Sequence, residues 1–218
     1  MKKFVFLLLL IICMLHSRSQ NSYLKLKVFY VLAGTPRELK SGMRDAGLDQ
    51  SATVGAVVTY PRSSRYPSVV LEGGKFIKNK KSISVLAGLQ EAGWVKGYNG
   101  MQGIRLDYTN WIINPKLNFH VPGVTWGVGP SALLLQYKKD KHDFGEKYSQ
   151  SKLLPGISLS AESVSKKSKG FRIGVFTSLN LHPTFHIEPV SVEGNNTAFD
   201  FNSKLNPSAL NLGFRFQF

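Results

Sequence analysis

From Ala209 to Phe218 the chain alternates without a break. Leu210, Leu212, Phe214, Phe216 and Phe218 fall on one side of an extended strand, and Asn211, Gly213, Arg215 and Gln217 on the other. Side chains alternate across a strand with a period of two. A face of leucine and phenylalanine backed by arginine and glutamine suits a transmembrane β-strand, which meets lipid on one side and a polar lumen on the other.

Seven earlier runs have the same grain: Tyr23–Ala33, Pro67–Ile77, Ser82–Val95, Ile104–Phe119, Thr125–Tyr137, Leu154–Glu162 and Gly170–His182, with Ser208–Phe218 as the eighth. The connections at 78–81, 120–124 and 163–169 are short, and those at 34–66, 96–103, 138–153 and 183–207 are longer. Loops that alternate long and short mark an up-and-down barrel, with tight turns at one end and larger loops at the other. The pattern predicts an all-β fold, an eight-stranded antiparallel up-and-down transmembrane β-barrel over residues 20–218. A βαβ fold would need helical periods between most strands. One helix is expected, in the first long loop outside the barrel. There Leu39 and Met43 stand four apart between Pro36 and the stop at Gly47. Residues 53–60 stay open between loop and extra strand.

Lys2 and Lys3 precede an apolar run, Phe4 to Leu15, and Ser17 and Ser19 stand at −3 and −1 of a cut before Gln20. Residues 1–19 therefore read as a cleaved signal peptide. The apolar run is short for a spanning helix, which needs about 20 residues. Cleavage would remove Cys13, the only cysteine, and with it any disulfide or cysteine-bound metal. Lys2, Lys3 and Arg18 are three of 28 basic residues, and the remaining 25 face 13 acidic ones. An exported basic chain is expected to meet an anionic membrane surface and no nucleic acid. The expected location is the outer membrane, as a monomer.

Period two also assigns faces. Leu24, Leu26, Val28, Tyr30 and Leu32 point out from the first strand, as do Trp126, Val128, Pro130, Ala132 and Leu134 from the fifth. In the fourth, Leu106 and Tyr108 have the opposite parity to Trp111, Ile113, Leu117 and Phe119. If every apolar side chain faces lipid, a one-residue bulge is needed near Thr109-Asn110. The inward set would be Lys25, Lys27, Glu72, Arg105, Asp107, Lys116, Glu162, Arg172 and Arg215. Eight strands leave room only for side chains, so these charges should pair and plug the lumen. Trp94, Tyr98, Tyr108, Trp111, Trp126 and Tyr137 suit interfacial girdles.

Catalytic signatures are sparse: no Gly-rich phosphate loop, no histidine pair on a helix, and no expected cofactor or metal. His182, His186 and Glu188, with Ser178, have the side chains of an acyl-transfer site. Along one strand, however, Ser178 and His182 stand about 13 Å apart. The stronger candidates are Arg37, Lys40, Arg44, Arg62 and Arg65 in the first long loop, a basic set suited to phosphates or carboxylates.

Ser84–Gly93, the segment Tyr108-Thr109-Asn110-Trp111-Ile112-Ile113-Asn114-Pro115-Lys116-Leu117 and the segment Trp126-Gly127-Val128-Gly129-Pro130-Ser131-Ala132-Leu133-Leu134 resemble the Bacteroidetes-type outer-membrane β-barrel (PorT-like) family. Leu212-Gly213-Phe214-Arg215-Phe216 is similar to its last strand. The resemblance covers most of residues 82–218, while the long first loop departs from the pattern. It implies fold and location, a role beside secretion or envelope assembly, and no shared catalytic residues. The expectation is a non-enzymatic barrel that binds lipopolysaccharide or an envelope protein through its outer loops. The alternatives are a barrel enzyme acting on lipid A or phospholipid acyl chains, and a soluble secreted barrel carrying a ligand.

Overall fold

The computed structural model describes residues 21–51, 60–78, 80–100, 102–139, 149–163, 171–187, 190–194, 197–201 and 204–218. Residues 1–19, expected to be a signal peptide, residues 53–59 of the undecided strand and Glu188 lie outside the described residues. In chain order the elements are β1 (Ser22–Ala33), α1 (Thr35–Asp45), β2 (Asp49–Ser51), β3 (Arg62–Arg65), β4 (Ser68–Lys78), β5 (Lys81–Gly100), β6 (Gln102–Val121), β7 (Val124–Lys139), β8 (Ser149–Ser163), β9 (Arg172–Leu181), β10 (Phe185–His186), β11 (Val190–Gly194), β12 (Thr197–Phe201), β13 (Lys204–Leu205) and β14 (Ala209–Gln217).

Eight of these strands close a ring, β1-β4-β5-β6-β7-β8-β9-β14, in which every neighbouring pair is antiparallel. The last strand pairs the first, with Lys25 opposite Gln217 and Tyr30 opposite Leu212. Closure leaves the ring no edge, which is the condition for a sheet to sit in lipid. The turn between β6 and β7 is tight, and Gly123 supplies its left-handed backbone at φ 83°.

The alternation read from sequence sets the two faces. On β14, Leu210, Leu212 and Phe214 are exposed while Ala209, Asn211 and Arg215 are buried. The assignments for β1 and β7 also hold, with Lys25, Lys27 and Ser131 buried inside, and β9 follows the same alternation, burying Ser178 and Asn180. One cross-strand row, Leu89–Trp111–Leu134–Leu153, forms the upper edge of the apolar belt. Beyond it the same face turns polar, with Thr109, Gln136 and Ser151 in the following row.

The fourth ring strand corrects the expected facing. β6 has no bulge at Thr109-Asn110, and its register with β7 runs from Leu106 to Ile113 without a shift. Leu106 and Tyr108 point inward and are buried, so the two apolar sets need no common face. Arg105 and Asp107 consequently face outward, bound to each other at 3.1 Å. Tyr108 and Tyr137 are interior and belong to no girdle. The bulge instead lies in β5, between Leu89 and Glu91, at the edge of the belt. The long loop expected at 96–103 is largely strand: β5 and β6 each run 20 residues, about twice the 9–11 a membrane crossing needs. Their upper halves stand above the belt, flanked on the β5 edge by β2 and β3.

Charge on the lipid face should be far more costly than loss of charge in the lumen. Leu212→Arg or Phe214→Lys is expected to cost about 2–4 kcal/mol. Arg215→Gln should cost less, because Glu162 keeps Lys25 and Lys27 as partners. Reversible urea unfolding in lipid bilayers measures the order, and the reverse order would refute the facing.

Candidate functional site

The lumen is filled in layers. In the lower layer, Lys25 on β1 and Glu72 on β4 are direct register partners, and Glu162 approaches from β8. Lys25 donates to Glu162 at 2.8 Å and lies 3.7 Å from Glu72. Lys27 donates to both Glu72 and Glu162. Lys116 reaches Glu72 at 3.4 Å, and Arg215 lies 3.8 Å from Glu162 while donating to the Ser163 carbonyl at 3.0 Å. All six side chains are at most 4% exposed. Of the expected inward charges, Lys25, Lys27, Lys116, Arg215, Glu72 and Glu162 are brought together, whereas Arg105 and Asp107 are not. Amides and hydroxyls continue the plug. Asn118 donates to Ser84 at 2.8 Å and to Tyr23 at 3.1 Å, Asn180 to Gln90 at 2.8 Å, and Asn211 to Ser178 at 3.0 Å.

The upper lumen is apolar. Val95, Ile104, Leu106, Leu133 and Leu135 from the strand extensions join Leu39 and Met43 of α1, Leu48, Phe185, Ile187 and Leu205 in one buried cluster. The expected helix exists, and its i, i+4 pair is its buried face, but it lies over the mouth as part of the barrel core. Its N-terminus is fixed from the wall. The Thr35 backbone N–H donates to Glu91 at 3.2 Å, and Asn110 donates to the Thr35 hydroxyl at 2.8 Å. Gly34 itself offers no capping side chain, and a Cβ there would come within 2.8 Å of Glu91 Oε2. A carboxylate at a helix N-terminus satisfies an orphan N–H and opposes the helix dipole. Sequence reasoning missed Glu91, because its role depends on the β5 bulge and on a helix more than fifty residues earlier.

The flank of α1 beside its buried face is basic. Arg37, Lys40 and Arg44 stand at i, i+3 and i+7, which places them on one helical stripe. Arg65 joins them from β3 and anchors its guanidinium on the Val31 carbonyl at 2.7 Å. Burial and then the charges of Arg65 and Arg44 push the Lys40 ammonium below the usual lysine range. Arg62 is separate. It shares a face with Lys96 and stands 5.7 Å from the Tyr60 ring.

Ser178 and His182 do not meet, as their spacing along one strand implies. Ser178 is bonded to Asn211, and His186 is exposed on β10. His182 instead has Ser131 Oγ at 3.3 Å from Nε2 and the Pro155 carbonyl at 3.3 Å from Nδ1. Both side chains are buried in the wall. Ser131 comes from β7 and His182 follows β9, and they meet across Gly156 of β8, the register partner of Ser131, where a Cβ would collide with His182 Nδ1.

No family model matches the chain, and no curated protein matches it. Among solved structures it is similar to the outer membrane protein OprG of Pseudomonas aeruginosa, at 9% identity and a TM-score of 0.50, covering 91% of this chain and 96% of that one. It is also similar to Ail, the attachment invasion locus protein of Yersinia pestis, at 10% identity and a TM-score of 0.47, covering 91% and 98%. The shared property is the fold, the eight-stranded outer-membrane type of barrel.

Removing one lumen carboxylate strands buried ammonium groups. Glu72→Leu should destabilise the barrel by about 3–5 kcal/mol in lipid unfolding experiments. Planar-bilayer recording of the unmodified protein should show no steady conductance of porin size, and a large reproducible channel would refute the plug.

Proposed function

We propose that the chain is an outer-membrane barrel, exported by cleavage of residues 1–19, that works without catalysis through its outer cap. The barrel is the rigid support, and α1 with β3 presents Arg37, Lys40, Arg44 and Arg65 to a partner bearing carboxylates or phosphates. The observation that carries this reading is the placement of four basic residues on one part of the cap: Arg37, Lys40 and Arg44 share a stripe of α1, and Arg65 comes from β3, which packs against α1. Like charges held this closely are relieved by an anion, and arginine is suited to bind one through two parallel hydrogen bonds. The patch lies over the mouth, so an acidic envelope protein or an anionic glycan approaching along the barrel axis fits it. The PorT-like resemblance belongs to the same proposal and makes an envelope-assembly or secretion complex the setting. The exposed apolar belt favours this reading over a soluble ligand carrier.

Charge substitution tests the cap better than excision, because Leu39, Met43 and Leu48 are core residues whose deletion would open the apolar cluster. R37Q/K40Q/R44Q/R65Q should leave a folded barrel in the outer-membrane fraction and abolish recovery of the cross-linked partner. Unchanged recovery would reject the cap.

The Ser131–His182 contact gives the enzymatic alternative its one specific observation. On the non-enzymatic reading, Ser131→Ala and the H182A/H186A pair leave the lipid A and phospholipid mass profiles unchanged. A missing acyl-chain cleavage in S131A would decide for the hydrolase.

A further inference from the structure

Charge is divided unevenly between the two ends of the barrel. The three short connections, 78–81, 120–124 and 163–169, contain six lysines and no aspartate or glutamate. Of the 13 acidic residues, Glu72 and Glu162 sit in the lumen. The others fall in α1, above the apolar belt or in the connections of the mouth end.

At the β4–β5 corner of the turn end Lys75, Lys80 and Lys81 are all exposed. Lys75 is the register partner of Ile83, and Lys81 lies two residues before Ile83 on β5. Period two puts Lys75, Lys81 and Ile83 on one face, with the two lysines on a diagonal of about 7–8 Å. That face is the lipid side. Ile83 pairs Leu117, and both are exposed. Lys81 pairs Phe119, its ammonium 5.6 Å from the ring, and Phe119 pairs the exposed Trp126. Lys80 stands in the turn, where its carbonyl accepts from the His120 N–H at 2.9 Å and ties the turn to the end of β6.

The direction of these side chains selects the partner. Lys75 and Lys81 project from the wall, next to apolar and aromatic residues that meet lipid. A lysine so placed lays its aliphatic stem on the apolar surface and its ammonium among the headgroups. Aromatic rings such as Trp126 mark the same level. A soluble partner beneath the barrel would meet the tips of the turns, whereas these two lysines stand on the side. With the mouth outward, the short turns lie at the inner leaflet.

We propose that Lys75, Lys80 and Lys81 hold the phosphate of an anionic phospholipid of the inner leaflet, with its acyl chains along Ile83 and Leu117. Ammonium groups on flexible stems converge on a phosphate as point charges. The inference rests on the outer-membrane reading above and adds to it an anchor at the end opposite the cap.

The test uses the full barrel in mixed nanodiscs of phosphatidylcholine and phosphatidylglycerol. Lipids that stay on the barrel are counted by native mass spectrometry. The unmodified protein should retain phosphatidylglycerol in preference to phosphatidylcholine. K75Q/K80Q/K81Q should lower that preference by about ten-fold or more. K138Q/K152Q/K204Q removes as many charges from exposed lysines of the mouth end and should leave it unchanged. Undiminished preference in the turn-end variant overturns the site. Equal loss in both variants is a general charge effect and overturns it too. If the turn-end variant fails to fold, judged by heat-modifiable gel mobility, K81Q alone is used. It should weaken the preference about five-fold, and no change overturns the proposal. Protection of Lys75 and Lys81 from acetylation by peptidoglycan, with none by phosphatidylglycerol vesicles, would put the cell wall at this end and overturn the lipid assignment. Absence of the protein from the outer-membrane fraction would refute the reading beneath the proposal, whatever the lipid counts.

Discussion

Glu72 and Glu162 hold Lys25, Lys27, Lys116 and Arg215 together inside the barrel, away from solvent. Taking such groups out of water costs several kcal/mol per ion, and only close pairing with further hydrogen bonds offsets it. The pairing requires β1, β4, β6, β8 and β14 at one fixed register. A slip by one residue would turn Lys25 and Lys27 toward lipid and bring Leu24 and Leu26 inside. The same contacts that fill the lumen therefore also fix how the ring closes.

That closure determines what happens above the membrane. β5 and β6 are twice as long as a crossing needs, and the β5 bulge between Leu89 and Glu91 falls where the lipid belt ends. A bulge bends its strand and re-aims the side chains beyond it. Here it brings Glu91 beneath the start of α1, where the carboxylate meets the Thr35 N–H. The extended strands then supply an apolar inner wall for Leu39 and Met43. The barrel thus has a polar plug in its lower part and an ordinary hydrophobic core at its mouth, with charge-bearing surfaces on the outside of that core.

Much of this was legible in the residues. The i, i+4 spacing of Leu39 and Met43 marked both the helix and its buried side. The alternation in β1, β7, β9 and β14 assigned each face, and Glu72 and Glu162 were identified as partners for lumen cations. The errors of facing share one cause. Reading Leu106, Tyr108 and Tyr137 as outward-facing follows from the rule that apolar side chains in a barrel face lipid. A strand segment above the membrane instead faces its apolar residues inward to a packed cap, and its polar residues, Arg105 and Asp107, face solvent. Period two is the same in both cases, so the pattern by itself cannot say which medium lies outside.

The number of ring strands, their order and the period-two pattern along each can be read from the residues alone, because they depend on local periodicity and on turn positions. So can which basic residues lie in the first loop. Which of them meet depends on how the chain folds in three dimensions. Lys40, Arg44 and Arg65 converge over the mouth, whereas Arg62 turns to the wall beside Lys96 and Arg105. The tertiary fold likewise sets Ser131 against His182, and Glu91 against Thr35. Apart from Lys40 with Arg44 and Lys96 with Arg105, those neighbours lie 21 to 56 residues apart in the chain. Cross-strand register and the folding of α1 over the barrel create their proximity, and neither is encoded in the spacing of the residues concerned.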